Sequence, residues 1–202
     1  MTERHVLDLL DNLARAGVAT WVDGGWGVDA LLRQQTRDHN DLDLVVPVGD
    51  LPAVRGLLSD RGFSVERDWL PTALAMRHRD GRAVDLHPIE PTKDSGGDQI
   101  LRGGERWHYT APVTGRVGER SVQCCSPECQ VAAHVGYEPD ATDRADMAAL
   151  AARFHLVLPA PYGLRDPSGH DGTLPKEQRT HRPAGTSTTC GGSAACDRMH
   201  TR

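Results

Sequence analysis

The sequence has few aromatic residues, no long apolar run and no excess of basic residues. Aromatic side chains make up 4% of its 202 residues. No uninterrupted apolar run approaches the ~20 residues that a membrane-spanning helix requires, so we expect no membrane partner. The first residues lead directly into an amphipathic pattern without an apolar signal core, which predicts a cytoplasmic protein.

Basic residues are outnumbered, since 23 Lys and Arg oppose 28 Asp and Glu for a formal net charge of −5. Such a chain has no general positive field to attract polyanions. An RNA-modifying enzyme would carry a basic stripe, and no Lys or Arg cluster occurs between residues 85 and 160. We therefore expect no nucleic-acid partner.

None of the five cysteines forms the CxxC pair that is typical of zinc and redox sites. Cys124 and Cys125 are adjacent and cannot both join one local disulfide without strain, so we expect reduced thiols. A zinc site built from Cys125, Cys129, Cys190 and Cys196 is the alternative that these residues leave open.

Apolar periodicity predicts alternating helices and strands. The predicted helices cover about 3–16, 26–33, 51–59, 127–135 and 142–156, and the predicted strands cover 19–23, 41–46, 63–66, 73–79, 82–87, 107–113 and 121–125. A glycine-rich stretch from about 90 to 106 predicts a long loop. We expect a core over 1–115 and a segment of helical character over 116–165. Beyond residue 165 the periodicity vanishes, which predicts a disordered tail over 166–202.

Two carboxylates in one predicted strand suggest a metal site. Asp41 and Asp43 are one residue apart, and the period of two in a strand sends both to the same face. A divalent cation between them would relieve a repulsion that otherwise raises a carboxyl pKa. Taken alone, the pair is also what a solvated strand end looks like.

Two further features strengthen the metal hypothesis. Gly24 and Gly25 join a predicted strand to a predicted helix, where backbone N–H groups can hold a phosphate. Asp85 lies in an apolar strand, where a buried carboxylate needs a partner. The alternatives are a tight turn for the glycines and an outward-facing edge strand for Asp85. Three carboxylates that hold two Mg2+ ions would suit nucleotidyl transfer.

Longer stretches around these residues resemble a known family. The segments are Trp21-Val22-Asp23-Gly24-Gly25-Trp26-Gly27-Val28-Asp29-Ala30, Gln35-Thr36-Arg37-Asp38-His39-Asn40-Asp41-Leu42-Asp43 and Val84-Asp85-Leu86-His87-Pro88-Ile89. They resemble the small antibiotic nucleotidyltransferases, the lincosamide type more closely than the aminoglycoside 2''-type. The resemblance covers roughly residues 5 to 155.

The resemblance implies an α+β, polymerase-beta-like nucleotidyltransferase fold, a mixed β-sheet flanked by helices with a small C-terminal helical part. It implies transfer of a nucleoside monophosphate from ATP or another nucleoside triphosphate, with two Mg2+ ions, to a hydroxyl of a small antibiotic, with a lincosamide as the favoured acceptor. A homodimer is also implied. The alternatives are an aminoglycoside acceptor, a toxin–antitoxin or regulatory nucleotidyltransferase, and a degenerate paralogue without activity.

Matched residue by residue, the resemblance gives roles to five positions. Gly24 and Gly25 would hold the triphosphate, and Asp41 and Asp43 would bind both metal ions. Asp85 would bind the ion that activates the acceptor, and it is the best candidate to receive the hydroxyl proton.

Other polar residues near these positions have two interpretations each. Arg37 and His39 precede the metal strand and can contact the triphosphate, or they form a salt bridge or a connector. His87 shares the face of Asp85 and can support a metal ligand, contact the acceptor or take its proton, or serve the fold.

Aromatic residues supply candidates for an acceptor pocket, because their rings offer flat apolar area beside a polar edge. We expect Trp69, Trp107 and Tyr109 to line it. Tyr137, in the helical C-terminal part, is a further candidate on the acceptor side, with helix capping and interhelix hydrogen bonding as the alternative for this region.

Overall fold

A computed structural model of the chain describes residues 1–162. The predicted tail over 166–202, and with it two cysteines of the zinc alternative, lies outside the described residues. Cys124, Cys125 and Cys129 are buried free thiols.

The order of helices and strands follows the periodicity of the sequence. The helices are α1 (Glu3–Arg15), α2 (Gly24–Leu32), α3 (Leu51–Asp60), α4 (Pro127–Ala133) and α5 (Ala141–Phe154). The strands are β1 (Trp21–Asp23), β2 (Asp41–Pro47), β3 (Phe63–Trp69), β4 (Ala73–His78), β5 (Ala83–Pro91), β6 (Gly97–Ile100), β7 (Arg106–Tyr109), β8 (Val113–Val117) and β9 (Arg120–Cys124). No helix within residues 1–162 is long and apolar enough to cross a bilayer.

The main sheet is mixed, with strand order β3-β4-β5-β2-β1-β9-β8. Strand β2 runs parallel to β5 and antiparallel to β1, and β1 runs parallel to β9. The β6–β7 hairpin continues from the end of β5, where β5 pairs with β6. Helices and this mixed sheet confirm the predicted α+β class.

Hydrophobic alternation decides which face of the sheet the helices cover. Leu42, Leu44 and Val46 of β2 are fully buried in the main core, together with the apolar stripe of α1. Burial of each such side chain stabilises the fold by about 1.5–3 kcal/mol. Because side chains alternate along a strand, Asp41 and Asp43 must lie on the opposite face.

The predicted loop over 90–106 is wrong. Strand β5 runs on to Pro91, and β6 and β7 pair as a hairpin from Gly97↔Tyr109 to Ile100↔Arg106. The glycine at 97 permits close packing, since a Cβ there would collide with the side chain of Ile89. The single strand predicted over 107–113 is likewise divided between β7 and β8.

The division predicted between residues 115 and 116 falls inside β8. Strand β9 then pairs with β1 in the main sheet, at Val22↔Cys124. Strand β9 and the end of β8 therefore belong to the predicted helical segment and complete the sheet, and α4 and α5 give that segment its helical character.

Candidate active site

The sheet aligns carboxylates in one row across three neighbouring strands. Asp43 of β2 pairs in register with Asp85 of β5 and with Asp23 of β1. Asp41 lies two residues from Asp43 on the same face and pairs with Ala83. We call Asp41, Asp43 and Asp85 the carboxylate cluster. Asp23 is an additional carboxylate in the same row.

Mutual repulsion and burial set the electrostatics of the carboxylate cluster. Asp85 is only 3% exposed, and burial together with the charge of Asp43 raises its pKa to about 7. Burial and Asp43 also raise the pKa of Asp41. Because β5 lies between β4 and β2, the alternative of an outward-facing edge strand for Asp85 is wrong.

The donor set of the cluster suits Mg2+, which prefers carboxylate oxygens. As placed, however, no three His, Cys, Asp or Glu side chains within residues 1–162 converge closely enough to hold an ion. Asp43 Oδ1 instead faces His87 Nε2 at 3.3 Å. A carboxylate reorients by rotation about single bonds, and an added divalent cation would relieve the repulsion that raises the pKa of Asp41 and Asp85.

Helix α2 begins directly against the cluster, two residues before its predicted start. Gly24 is its first residue and has φ +57°, a conformation that favours glycine. A Cβ at Gly24 would collide with the carboxylate of Asp43. Asp23 is the N-cap but makes no side-chain cap bond. Backbone N–H groups of the first turn are therefore available to an anion beside Asp43.

Arg37 and His39 lie against the start of the same helix. The NH2 group of Arg37 is 2.9 Å from Asp146 Oδ2, and its NH1 group donates to His39 Nδ1 at 2.9 Å. His39 is 4% exposed, and its Nε2 donates to Asp29 Oδ2 at 2.5 Å. His39 is thus enclosed, whereas the Arg37 side chain is 34% exposed. A Cβ at Gly25 would lie 2.6 Å from Arg37 NH2.

A buried glutamine that the sequence did not indicate orients His87. Gln99 Nε2 donates to the carbonyl of Thr72 at 2.7 Å and lies 3.4 Å from His87 Nδ1. The bond to Thr72 turns the amide nitrogen towards His87, so Nδ1 accepts and Nε2 carries the proton that faces Asp43.

Aromatic residues of the β6–β7 hairpin cover the β1 end of the carboxylate row. Tyr109 is buried and its hydroxyl donates to Asp23 Oδ2 at 3.4 Å. Trp107 and Trp21 each contact Tyr109 edge-on, with ring centroids 6.4 Å apart. The structure therefore brings Trp107 and Tyr109 into contact and adds Trp21, whose place on the face of Asp23 follows from strand alternation. Their role as the lining of an acceptor pocket stays a prediction.

The other predicted aromatic residues lie further out. Trp69 ends β3, with the guanidinium groups of Arg67 and Arg102 at 4.9 and 5.7 Å from its ring. Tyr137 lies in the connector between α4 and α5, where it hydrogen-bonds with Tyr162. This bond links Tyr137 to the C-terminal part of the described chain.

Two cavities lie on opposite sides of the sheet. One of about 190 Å³ lies on the carboxylate face, between Asp41 and Asp85 and the polar side chains of Glu66 and Arg67. The other, of about 400 Å³, lies on the helix-covered face and is lined mainly by residues of α3. Only the first is next to the carboxylate cluster.

A mixed sheet that carries three carboxylates beside the start of a helix fits the nucleotidyltransferase class of enzymes, and comparison with known proteins shows that the chain belongs to this class. The profile of the aminoglycoside-2''-adenylyltransferase family matches residues 5–150. A lincosamide resistance protein of Staphylococcus haemolyticus is 30% identical over 149 residues, which cover 73% of this chain and 92% of the relative. The chain therefore belongs to this family of antibiotic nucleotidyltransferases.

Solved structures agree with this assignment. The crystal structure of the lincosamide antibiotic adenylyltransferase LnuA with lincomycin bound has a TM-score of 0.69 and 30% identity, covering 76% of this chain and 98% of that one. ANT(2'')-Ia in complex with adenylyl-2''-tobramycin has a TM-score of 0.59 at 18% identity, covering 75% and 88%. The latter likeness concerns the fold alone. Both likenesses confirm the fold class, and the likeness to LnuA at 30% identity also agrees with the family assignment.

Proposed function

We propose that this protein transfers a nucleoside monophosphate from ATP, or another nucleoside triphosphate, to a hydroxyl of a lincosamide in a Mg2+-dependent reaction that releases pyrophosphate. The alignment of the carboxylate cluster beside the start of α2 carries this proposal. The proposal is supported because carboxylate oxygens, which Mg2+ prefers, lie beside backbone N–H groups of a helix start, which suit a triphosphate.

The residues of the cluster would share the metal ions. Asp41 and Asp43 would contact both ions, and Asp85 would contact the one nearest the acceptor. When bound, Mg2+ supplies charge neutralisation on the triphosphate and lowers the pKa of the acceptor hydroxyl.

Asp85 is our candidate for the proton acceptor. The hydroxyl oxygen forms a bond to the α-phosphorus, the bond from that phosphorus to the bridging oxygen breaks, pyrophosphate leaves, and the hydroxyl proton passes to Asp85. Its carboxylate is buried in register with Asp43, beside the position proposed for the acceptor hydroxyl. His87 is less suited, because its Nδ1 already faces the N–H of Gln99 and its Nε2 proton faces Asp43.

The start of α2 and Arg37 would hold the triphosphate. Gly24 and Gly25 present backbone N–H groups there, and Arg37 offers a cation that compensates charge on the departing pyrophosphate. His39 is enclosed between Asp29 and Arg37, so it would act by orienting Arg37.

A lincosamide acceptor is supported by similarity over nearly the whole of a lincosamide resistance protein. The partly exposed rings of Trp107 and Trp69 are our candidates for contacts with the acceptor. His87, which faces Asp43, and Tyr109, which bonds Asp23, are further candidates. The family profile keeps an aminoglycoside acceptor as the second candidate.

The test is a mass-spectrometric screen of the purified protein with ATP and Mg2+ against lincomycin, clindamycin, tobramycin and kanamycin. We expect one adenylyl group to be added to the lincosamides, and chelation of Mg2+ with EDTA to stop the reaction. GTP, CTP and UTP in place of ATP define the nucleotide preference.

Variants of the cluster test the roles of its residues. Asp41→Asn and Asp85→Asn should reduce transfer by at least about 1,000-fold, because each removes a charge from the reacting centre. Asp60→Asn is the matched control, since Asp60 is exposed at the end of α3. Full activity of Asp41→Asn or Asp85→Asn would refute the mechanism, and modification of aminoglycosides alone would refute the acceptor.

A further inference from the structure

We infer that Asp146 of α5 is a positioning residue for the pyrophosphate portion of the nucleotide, because it fixes the guanidinium of Arg37 beside the start of α2. This inference rests on the proposed function. It gives α5 a role on the nucleotide side of the site, whereas the sequence placed that segment on the acceptor side.

The contact between Arg37 and Asp146 joins distant parts of the chain. Arg37 NH2 donates to Asp146 Oδ2 at 2.9 Å, and Arg37 Nε lies 3.3 Å from the same oxygen and 3.5 Å from Oδ1. Asp146 is 5% exposed. A buried carboxylate with two donors of one guanidinium fixes both the position and the plane of that group.

A second set of bonds fixes the other edge of the guanidinium. Arg37 NH1 donates to His39 Nδ1 at 2.9 Å, and His39 Nε2 donates to Asp29 Oδ2 at 2.5 Å. Asp29 Oδ1 accepts from the backbone N–H and the hydroxyl of Thr36, at 3.0 and 2.6 Å. The bond to Asp29 places the proton of His39 on Nε2, so that Nδ1 can accept from Arg37.

The first two residues of α2 show which part of a nucleotide Arg37 would meet. Gly24 abuts Asp43 of the carboxylate cluster, whereas Gly25 abuts Arg37 NH2 and His39 Nδ1. The α-phosphorus must lie at the carboxylates, where the bond is broken. The next position along the start of the helix, where Arg37 lies, then belongs to the β- and γ-phosphates, which leave as pyrophosphate.

A purely structural role for Asp146, as an anchor of α5 on the rest of the fold, is the competing explanation. The anchor and the positioning explanations predict different effects of the double variant on pyrophosphate affinity. An anchor would affect the stability of the protein and its ligand affinity independently of Arg37, but a positioning residue acts only through Arg37. Effects on pyrophosphate affinity should therefore be strongly non-additive.

The experiment measures dissociation constants by calorimetry for inorganic pyrophosphate, ATP and AMP, each with Mg2+. Arg37→Ala and Asp146→Asn should each raise the dissociation constants of pyrophosphate and ATP about tenfold. The dissociation constant of AMP should not change. The double variant should bind pyrophosphate no more weakly than Arg37→Ala. In steady state, Asp146→Asn should raise the KM for ATP and leave the KM for the acceptor unchanged.

Asp143→Asn is the matched control. Asp143 lies one turn before Asp146 in α5, is similarly buried, and accepts from the backbone N–H of Asp140. Asp143→Asn removes this carboxylate charge, so it should lower the melting temperature without changing pyrophosphate affinity. If Asp146→Asn does not fold, Arg37→Lys is measured in its place. Lysine keeps the positive charge but cannot bond both Asp146 and His39 in one plane. Arg37→Lys should also weaken pyrophosphate binding about tenfold.

The outcomes separate the two proposals. Wild-type pyrophosphate affinity in Asp146→Asn, or in Arg37→Lys where that variant replaces it, would overturn the positioning role, as would additive losses in the double variant. Wild-type protein that binds neither ATP nor pyrophosphate and modifies no acceptor would instead overturn the proposed function and this inference with it.

Discussion

Alanine at Gly24 perturbs the point at which α2 meets the carboxylate cluster. Two costs arise there. Gly24 has φ +57°, and a non-glycine residue in the left-handed region costs about 1–2 kcal/mol. The added Cβ would also collide with the carboxylate of Asp43, so either that side chain or the start of the helix must shift.

The two costs should appear in different measurements. Backbone strain of about 1–2 kcal/mol lowers the melting temperature of a domain of this size by about 2–8 °C. Displacement of Asp43 or of the phosphate-binding N–H groups by about 1 Å lowers the rate of transfer by about 100-fold. We expect Gly24→Ala to show both effects.

Gly17 provides the matched control. It has φ +75°, and a Cβ there would meet nothing within 4 Å. Gly17→Ala should therefore lose similar stability and keep its activity. Thermal denaturation and initial rates of lincomycin adenylylation measure both quantities. Activity of Gly24→Ala within about threefold of wild type would refute the claim that the bare backbone at this position serves the reaction.

Two further predictions concern the β6–β7 hairpin. Gln99→Met should leave the buried carbonyl of Thr72 unpaired and release His87. We expect the free energy of unfolding, measured by urea denaturation, to fall by about 1–3 kcal/mol, and kcat to fall as well. Unchanged stability would contradict the orientation assigned to Gln99. Hydrogen bonding to Asp98 and the charge of Asp94 raise the pKa of His108, although Arg106 also faces Asp98. Because the pKa of His108 is raised in the folded state, protonated His108 stabilises the folded protein. This contribution is complete below about pH 6.5 and is lost as the pH rises through the raised pKa. The difference in melting temperature between wild type and His108→Gln should thus be larger at about pH 5.5 than at about pH 9, and an equal difference at both would refute the pairing.

Local patterns were sufficient to predict the arrangement of the carboxylates. Alternation places Asp41 and Asp43 opposite Leu42 and Leu44, and burial of the leucines decides the face of the aspartates. The apolar surroundings of Asp85 predicted that it needs a partner, and it is indeed buried beside Asp43. The catalytic roles of these residues remain predictions.

The hairpin could not be predicted from the same patterns. Gly96 and Gly97 are typical of a loop, yet the glycine at 97 serves close packing against Ile89. Gln99 has no local signal, because its partners belong to segments 12 and 27 residues away. The positions of Arg37 and Asp146 are likewise separated by 109 residues, so their contact depends on the completed fold.

The division of the site between sheet and hairpin has a consequence for how acceptor preference can evolve. The carboxylate row is fixed by the register of β1, β2 and β5, and hence by the same core side chains that stabilise the protein. The hairpin that carries Gln99, Trp107 and Tyr109 is paired to β5 at only Glu90↔Asp98 and Pro91↔Gly97. Substitutions at the exposed positions 102–106 and 108 of the hairpin, away from the buried Gln99 and Tyr109, can therefore accumulate without disturbing the reaction centre. If the proposed function holds, acceptor preference would change at these exposed positions while the carboxylate row stays the same.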